Sequence, residues 1–302
     1  MKKLTGSICA LATPFRSGSL DLDAFVRLLD HQIDGGTCGV VVAGSTGEAH
    51  ALDDDEYDRL LTLAVKHVGG RIAVLAGTGG ANTEKTVVAT RRAQALGADA
   101  ALVVTPYYVR PTQEGLVRHF SEVADRGGLP IVLYNVPGRT GCDLAPETTA
   151  RLSGHERIVG IKEAVFSEER IAALVALKSA RFSVLSGDDP TALRAIGLGA
   201  DGVISVAANV APAAFAAMCE AALAGDRQRA AALDEALKPL FDLLGVESNP
   251  IPLKWALQEL GIGGADVRLP LLPLSSRYHA LASQVVSALP APMVQQRHSS
   301  AA

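Results

Sequence analysis

Ile158-Val159-Gly160-Ile161-Lys162-Glu163-Ala164 is a short apolar run that closes on a lysine, the pattern of a buried strand with an ammonium group at its C-terminal end. An amine held against apolar walls loses hydration of its charged form, which leaves a usable fraction free as a nucleophile towards a ketone. The bland alternative is a lysine whose stem lines apolar surface while its head reaches water. The rest of the chain has to decide between the two.

Similar runs recur on both sides of this one: Ile8 to Ala12, Gly39 to Ala43, Ile72 to Ala76, Ala101 to Thr105, Ile131 to Asn135, Ser183 to Ser186 and Gly202 to Val206. Each is nearly continuous in apolar residues, as expected of strands covered on both faces, and the gaps leave room for one helix and two loops. Helix starts lie in those gaps at Asp21, Asn82, Pro146 and Ser167, and glycines such as Gly35-Gly36, Gly69-Gly70 and Gly97 supply stops. Repeated βα units predict an α/β fold, a closed (β/α)8 TIM barrel over residues 1–225. An open doubly wound sheet is the competing architecture; it normally needs a topological switch and fewer strands of such even spacing. Asp226 to Leu244, Pro252 to Leu260 and Pro273 to Leu289 read as a C-terminal three-helix appendage, residues 226–289. Residues 290–302, with Pro-Ala-Pro, Gln-Gln and Ser-Ser, read as a disordered tail.

The 302 residues are 48% hydrophobic and 20% charged, with a formal charge of -4, a pI near 6.0 and a mean hydropathy of +0.23. That balance offers no basic surface for nucleic acid or anionic lipid. No stretch of about 18 uncharged apolar residues is present to span a membrane. Met1-Lys2-Lys3-Leu4 runs into a broken segment and then the first strand, so no export signal is read. Cys9, Cys38, Cys142 and Cys219 lie far apart and read as reduced thiols of a cytoplasmic protein. The seven histidines show no metal-ligand spacing, and no Gly-x-Ser-x-Gly elbow is present. Small-molecule chemistry without a metal is the expectation.

Active sites of such barrels lie at the C-terminal ends of the strands. There the sequence places Gly44-Ser45-Thr46-Gly47-Glu48, Gly77-Thr78-Gly79, Thr105-Pro106-Tyr107-Tyr108, Tyr134-Asn135-Val136-Pro137-Gly138-Arg139-Thr140-Gly141, Lys162-Glu163 and Ser186-Gly187-Asp188-Asp189. Tyr134 and Lys162 end consecutive strands, which in a parallel barrel run roughly 4.8 Å apart. A phenol can give and take the protons that imine and enamine formation require. The Gly44 to Gly47 turn offers hydroxyls and open amides to a carboxylate, or is a simple tight turn. Arg139 can clamp a second carboxylate, or is a solvated loop arginine.

From about Gly6 to Leu289, these motifs in this order, with Gly202-Val203-Ile204-Ser205 and Asn249-Pro250-Ile251-Pro252-Leu253-Lys254-Trp255, resemble the dihydrodipicolinate synthase family. That family belongs to the pyruvate-dependent class I aldolases, which also include N-acetylneuraminate lyases. The resemblance implies that Lys162 forms an imine with pyruvate, beside Tyr134 as proton donor and acceptor, with no cofactor beyond that covalent imine. Thr46 and the backbone of Ile204 would hold pyruvate, with its carboxylate in the Ser45-Thr46 turn. Arg139 would receive the carboxylate of L-aspartate 4-semialdehyde, and the product would be 4-hydroxy-tetrahydrodipicolinate, on the diaminopimelate route to lysine. Tyr108 would reach in from a neighbouring subunit to complete a relay with Tyr134 and Ser45. The implied assembly is a homo-oligomer, a dimer of dimers.

Two departures from the family pattern stand out. The relay hydroxyl, usually threonine in the synthases, is Ser45 here, as in the sialic-acid lyases, which keeps a pyruvate-releasing lyase or dehydratase of a sugar acid as the alternative. A barrel without catalysis is the third reading, and it predicts no imine. Family members inhibited by lysine bind it at the dimer interface through an acid in the helix after strand three. Lys85 stands at that place, among Ala49, His50, Asp54 and Tyr57, so feedback is expected to be weak or absent.

Overall fold

The computed structural model describes residues 2–289. In chain order Gly6–Ala10, Gly39–Val42, Ala73–Gly77, Ala100–Val104, Ile131–Asn135, Ile158–Glu163, Ser183–Ser186 and Gly202–Ser205 form a closed parallel barrel of eight strands. The eighth pairs with the first, Ile8 opposite Ile204, and closes the ring. Every run expected to be a strand is one. The open doubly wound sheet is excluded by that closure.

Side chains alternate along the strands. Ile8, Val41, Leu102, Val132, Tyr134 and Leu185 fill the barrel interior. Their neighbours Cys9, Val42, Val103, Leu133, Ile161 and Val184 face the helices. Burial on both faces is why these strands read as unbroken apolar runs. One strand breaks the alternation: Ile131 pairs with Ile158, but Val132 pairs with Gly160, so Val159 is an extra residue in the sixth strand. A bulge of this kind bends a strand and re-aims the side chains that follow.

Helix starts follow the sequence reading. The side chains of Asp21, Asn82 and Ser167 accept from the amides of Ala24, Lys85 and Arg170, and Pro146 begins its helix. Each satisfies or removes an amide that would otherwise lack an intrahelical acceptor.

The structure corrects the C-terminal region. Helices Arg227–Leu244 and Ile251–Glu259 form as expected, but the third is His279–Ala288, preceded by a 3-10 turn Ser276–Tyr278, rather than a helix from Pro273. The Ser275 amide donates to the Glu247 carboxylate at 3.3 Å, and the Leu274 carbonyl is hydrogen-bonded to His279 Nε2 at 2.9 Å. These tertiary partners replace the bonds a helix would need there. A two-stranded hairpin, Phe15–Arg16 with Ser19–Leu20, was not legible beforehand. Leu240, Leu253, Leu257 and Ala282 share one apolar cluster with the outer face of the barrel. The tail expected at 290–302 lies outside the described residues. Cys9, Cys142 and Cys219 are buried, Cys38 is exposed, and all four are free thiols. No helix among the described residues is long and apolar enough to cross a membrane.

Candidate active site

A cavity of about 200 Å³ opens at the C-terminal ends of the strands, lined among others by Ser45, Tyr107, Tyr134, Arg139, Thr140 and Lys162. Lys162 is 4% exposed, and its Nζ lies 4.4 Å from the centroid of the Tyr134 ring. It makes no ion pair among the described residues. Its stem runs over Gly187, where a Cβ would come within 3.0 Å of Lys162 Cγ and 3.1 Å of Cε. Glycine there leaves the channel along which the amine reaches the cavity.

Glu163, the next residue, points to the other side of the strand. Its buried carboxylate accepts from Asn135 Nδ2 at 3.0 and 3.1 Å and from the Val165 amide at 2.8 Å, and Arg170 Nη1 stands 3.6 Å away. Burial raises its pKa to about 7, against the opposing pull of the Val165 amide, Arg170 and Asn135. Asn135 Nδ2 also donates to Asp143 Oδ1 at 2.8 Å, and Asn135 Oδ1 accepts from the Leu144 amide at 2.9 Å. Asp143 in turn holds the Arg170 guanidinium at 2.6 and 2.5 Å. The network ties the ends of strands five and six to the loop that carries Arg139.

The turn after strand two is held tightly. Gly44 O accepts from the amides of Gly47 at 3.1 Å and Ala49 at 3.2 Å, and Thr13 Oγ1 donates to Gly47 O at 2.7 Å. The amides of Ser45 and Thr46 have no backbone acceptor among the described residues. Two successive amides without a partner are free to donate to an anion. Ser45 lines the cavity, whereas Thr46 is buried and its hydroxyl accepts from Asn249 Nδ2 at 2.9 Å. Arg139 sits on the helical turn Pro137–Thr140 with Nη2 3.5 Å from the Asn249 carbonyl.

Not every expected residue meets the cavity. Ile204 is fully buried inside the barrel, so its side chain is wall and only its backbone is open to a role. Tyr108 is 91% exposed, with φ of +73°, and does not line the cavity; Tyr107 does. Sequence reasoning gave no role to Asn249, which touches both Thr46 and Arg139, or to Gly187. Asn249 opened a motif already singled out, but nothing in its own neighbourhood connects it to residue 46. Among the described residues no group of three or more His, Cys, Asp or Glu is placed to hold a metal ion.

Known proteins similar to this chain are numerous. The chain is 60% identical over 283 residues to 4-hydroxy-tetrahydrodipicolinate synthase of Stenotrophomonas maltophilia (strain K279a), an overlap covering 93% of this chain and 95% of that protein. The enzyme of the same name from Xanthomonas axonopodis pv. citri is 60% identical over 285 residues, 94% of each chain. Among solved structures, the chloride-inhibited dihydrodipicolinate synthase of Acinetobacter baumannii, complexed with pyruvate, superposes with a TM-score of 0.92 at 43% identity, covering 94% of this chain and 98% of that one. Residues 3–289 match the model of the Dihydrodipicolinate synthetase family. On this sequence identity and this barrel, the chain belongs to the dihydrodipicolinate synthetase family.

Proposed function

We propose that this chain is a lyase that condenses pyruvate with L-aspartate 4-semialdehyde to give 4-hydroxy-tetrahydrodipicolinate, through a Schiff base on Lys162, in the diaminopimelate route of lysine biosynthesis. The observation that carries it is the unpaired Lys162 amine beside the Tyr134 ring, in a cavity that opens onto the Ser45-Thr46 turn. The names of the relatives favour this reaction over pyruvate release from a sugar acid. Ser45 keeps the hydroxyl the relay needs, so its missing methyl does not argue against the synthase.

In this reading the neutral Lys162 amine attacks the pyruvate ketone while the carboxylate rests on the amides of Ser45 and Thr46. The hydroxyl of Tyr134 protonates the departing oxygen, which leaves as water, and the imine forms. Loss of a methyl proton gives an enamine, whose terminal carbon attacks the aldehyde of the second substrate. Arg139 receives that substrate's carboxylate, and the backbone at Ile204 borders pyruvate. The substrate's amino group then displaces Lys162 as the ring closes. Tyr108, too exposed to serve its own chain, extends the relay of Tyr134 and Ser45 in a neighbouring subunit, so the working unit is a dimer or a dimer of dimers. The imine itself supplies the electron sink, without a metal or a further cofactor, and the setting is the cytoplasm.

The test is borohydride reduction in the presence of pyruvate, followed by mass analysis of the Lys162 peptide. Turnover is followed in parallel through an NADPH-consuming reductase. A pyruvate adduct on Lys162 and turnover that both vanish in Lys162→Ala are expected. Absence of the adduct in the unaltered protein would refute the mechanism, and an adduct without condensation would refute the second substrate.

A further inference from the structure

Outside the cavity, the most deeply buried pair of opposite charges is Glu48 with Lys254. Their side chains are 0% and 1% exposed, and Lys254 Nζ lies 2.5 Å from Glu48 Oε1. Glu48 Oε2 accepts from the Arg268 amide at 3.0 Å. Lys254 belongs to the C-terminal helix Ile251–Glu259, and its ammonium also lies 4.1 Å from the centroid of the Phe15 ring. The Arg268 guanidinium sits 4.1 Å from the same ring, donates to both Glu56 oxygens at 2.5 and 2.6 Å, and to Ala51 O at 2.7 Å.

Neither Glu48 nor Lys254 lines the cavity. Glu48 nevertheless closes the turn that carries the open amides of Ser45 and Thr46, and it does so in a left-handed conformation with φ of +51°. A residue with a side chain holds that backbone only where its surroundings fix it. Two contacts from one C-terminal segment fall on this turn: Asn249 on the Thr46 hydroxyl and Lys254 on the Glu48 carboxylate. A buried pair is poor evidence of added stability, since apolar replacements often do as well. Its location at the root of an anion-receiving turn is the informative fact.

We infer that Lys254 is a positioning residue: through Glu48 it sets the conformation of the Gly44 to Glu48 turn, and so the orientation of the two amides that receive pyruvate's carboxylate. The C-terminal helices are thereby part of the pyruvate site. This rests on the reaction proposed above, and it adds no group that touches substrate.

The experiment compares Lys254→Met with the doubly neutral Glu48→Gln/Lys254→Met in the full chain, after the unaltered protein has been shown to trap pyruvate on Lys162. Failure of that first step would remove the reaction itself, before any variant is made. Lys254→Met is expected to raise KM for pyruvate on the order of tenfold and to shift borohydride trapping to higher pyruvate by the same factor. kcat and KM for the semialdehyde should change much less. The doubly neutral variant, with no uncompensated charge, should regain thermal stability but keep the raised pyruvate KM. A folded variant with unaltered pyruvate KM would overturn the inference, as would an equal rise in both KM values, which marks general loosening. If Lys254→Met does not fold, the doubly neutral variant carries the test; its failure to fold would assign the pair to stability and overturn the inference too.

Discussion

Tyr134 and Lys162 face each other across adjacent parallel strands because the sixth strand holds one more residue than the fifth: Ile131 pairs with Ile158, yet Tyr134 pairs with Lys162. Without Val159 as the extra residue, Tyr134 would be opposite Ile161. In that register Lys162 would fall opposite Asn135, one residue further on and on the other side of the strand, so the amine and the phenol would not meet. Gly160, directly after the bulge, lets the seventh strand pack close, since a Cβ there would come within 2.7 Å of the Ser183 carbonyl oxygen.

Tyr134→Phe keeps the ring beside Lys162 and removes only the hydroxyl. It is expected to lower kcat by roughly 10²- to 10⁴-fold, the usual worth of a positioned proton donor and acceptor. Pyruvate should still reach the site, so trapping on Lys162 becomes slow rather than absent. Steady-state kinetics beside the borohydride time course check this. A kcat within a factor of about three of the original would remove Tyr134 from the proton transfers.

Gly187→Ala places a methyl group 3.0 Å from Lys162 Cγ and 3.1 Å from both Cε and the Ala164 amide. The lysine stem must give way by a few tenths of an ångström. Small displacements of a nucleophile are costly in rate, so kcat/KM for pyruvate is expected to fall about tenfold or more. The crowding itself should cost about 1–3 kcal/mol of stability. A thermal melt with a pyruvate titration separates the two effects, and unchanged kcat/KM would show that the stem has room.

Glu163 gives the fold a pH dependence whose sign is set by burial. Its pKa rises from 4.5 in a free carboxyl to about 7 in the folded chain. Below the lower value both states are protonated and the group contributes nothing. Between the two values the unfolded chain releases the proton while the folded chain keeps it, so stability is lost as pH rises, on the order of 3 kcal/mol by neutral pH. Glu163→Gln cannot ionise. Its melting temperature, measured against the unaltered protein, should therefore improve steadily from about pH 5 to about pH 8. A difference that stays flat over this range would mean that Asn135, Val165 and Arg170 hold the carboxylate ionised throughout.

Lysine should inhibit poorly. A second cavity, of about 550 Å³, is lined by Ala49, Asp54, Tyr57, Glu84, Lys85 and Arg92 among others, and Ala49 also borders the cavity that holds Lys162. Its carboxylates are largely engaged: Asp54 pairs with Arg92 at 2.6 Å and Glu84 with Arg126 at 2.8 Å. Lys85 has no ion-pair partner among the described residues, and its ammonium opposes that of a lysine ligand. Activity halved by sub-millimolar lysine would contradict this. Lys85→Glu is expected to lower the lysine concentration needed for half inhibition.

The sequence by itself determined the barrel and the identity of most groups at its mouth. Strands covered on both faces must be apolar throughout, and in this fold polar residues directly after a strand can only gather at one end, so Ser45, Tyr134, Arg139 and Lys162 were legible from their positions alone. What tertiary structure decided was how those groups are aimed. The Val159 bulge depends on which carbonyl each amide finds on the next strand, and no local pattern marks it. Asn249 meets Thr46 across 203 positions and Lys254 meets Glu48 across 206, contacts that exist only once the C-terminal helices have packed. The same holds for Ser275, whose amide leaves the helix expected from Pro273 for the carboxylate of Glu247. Periodicity records which face of an element is buried; the partner that a polar group finds there is set by chain closure over long separations.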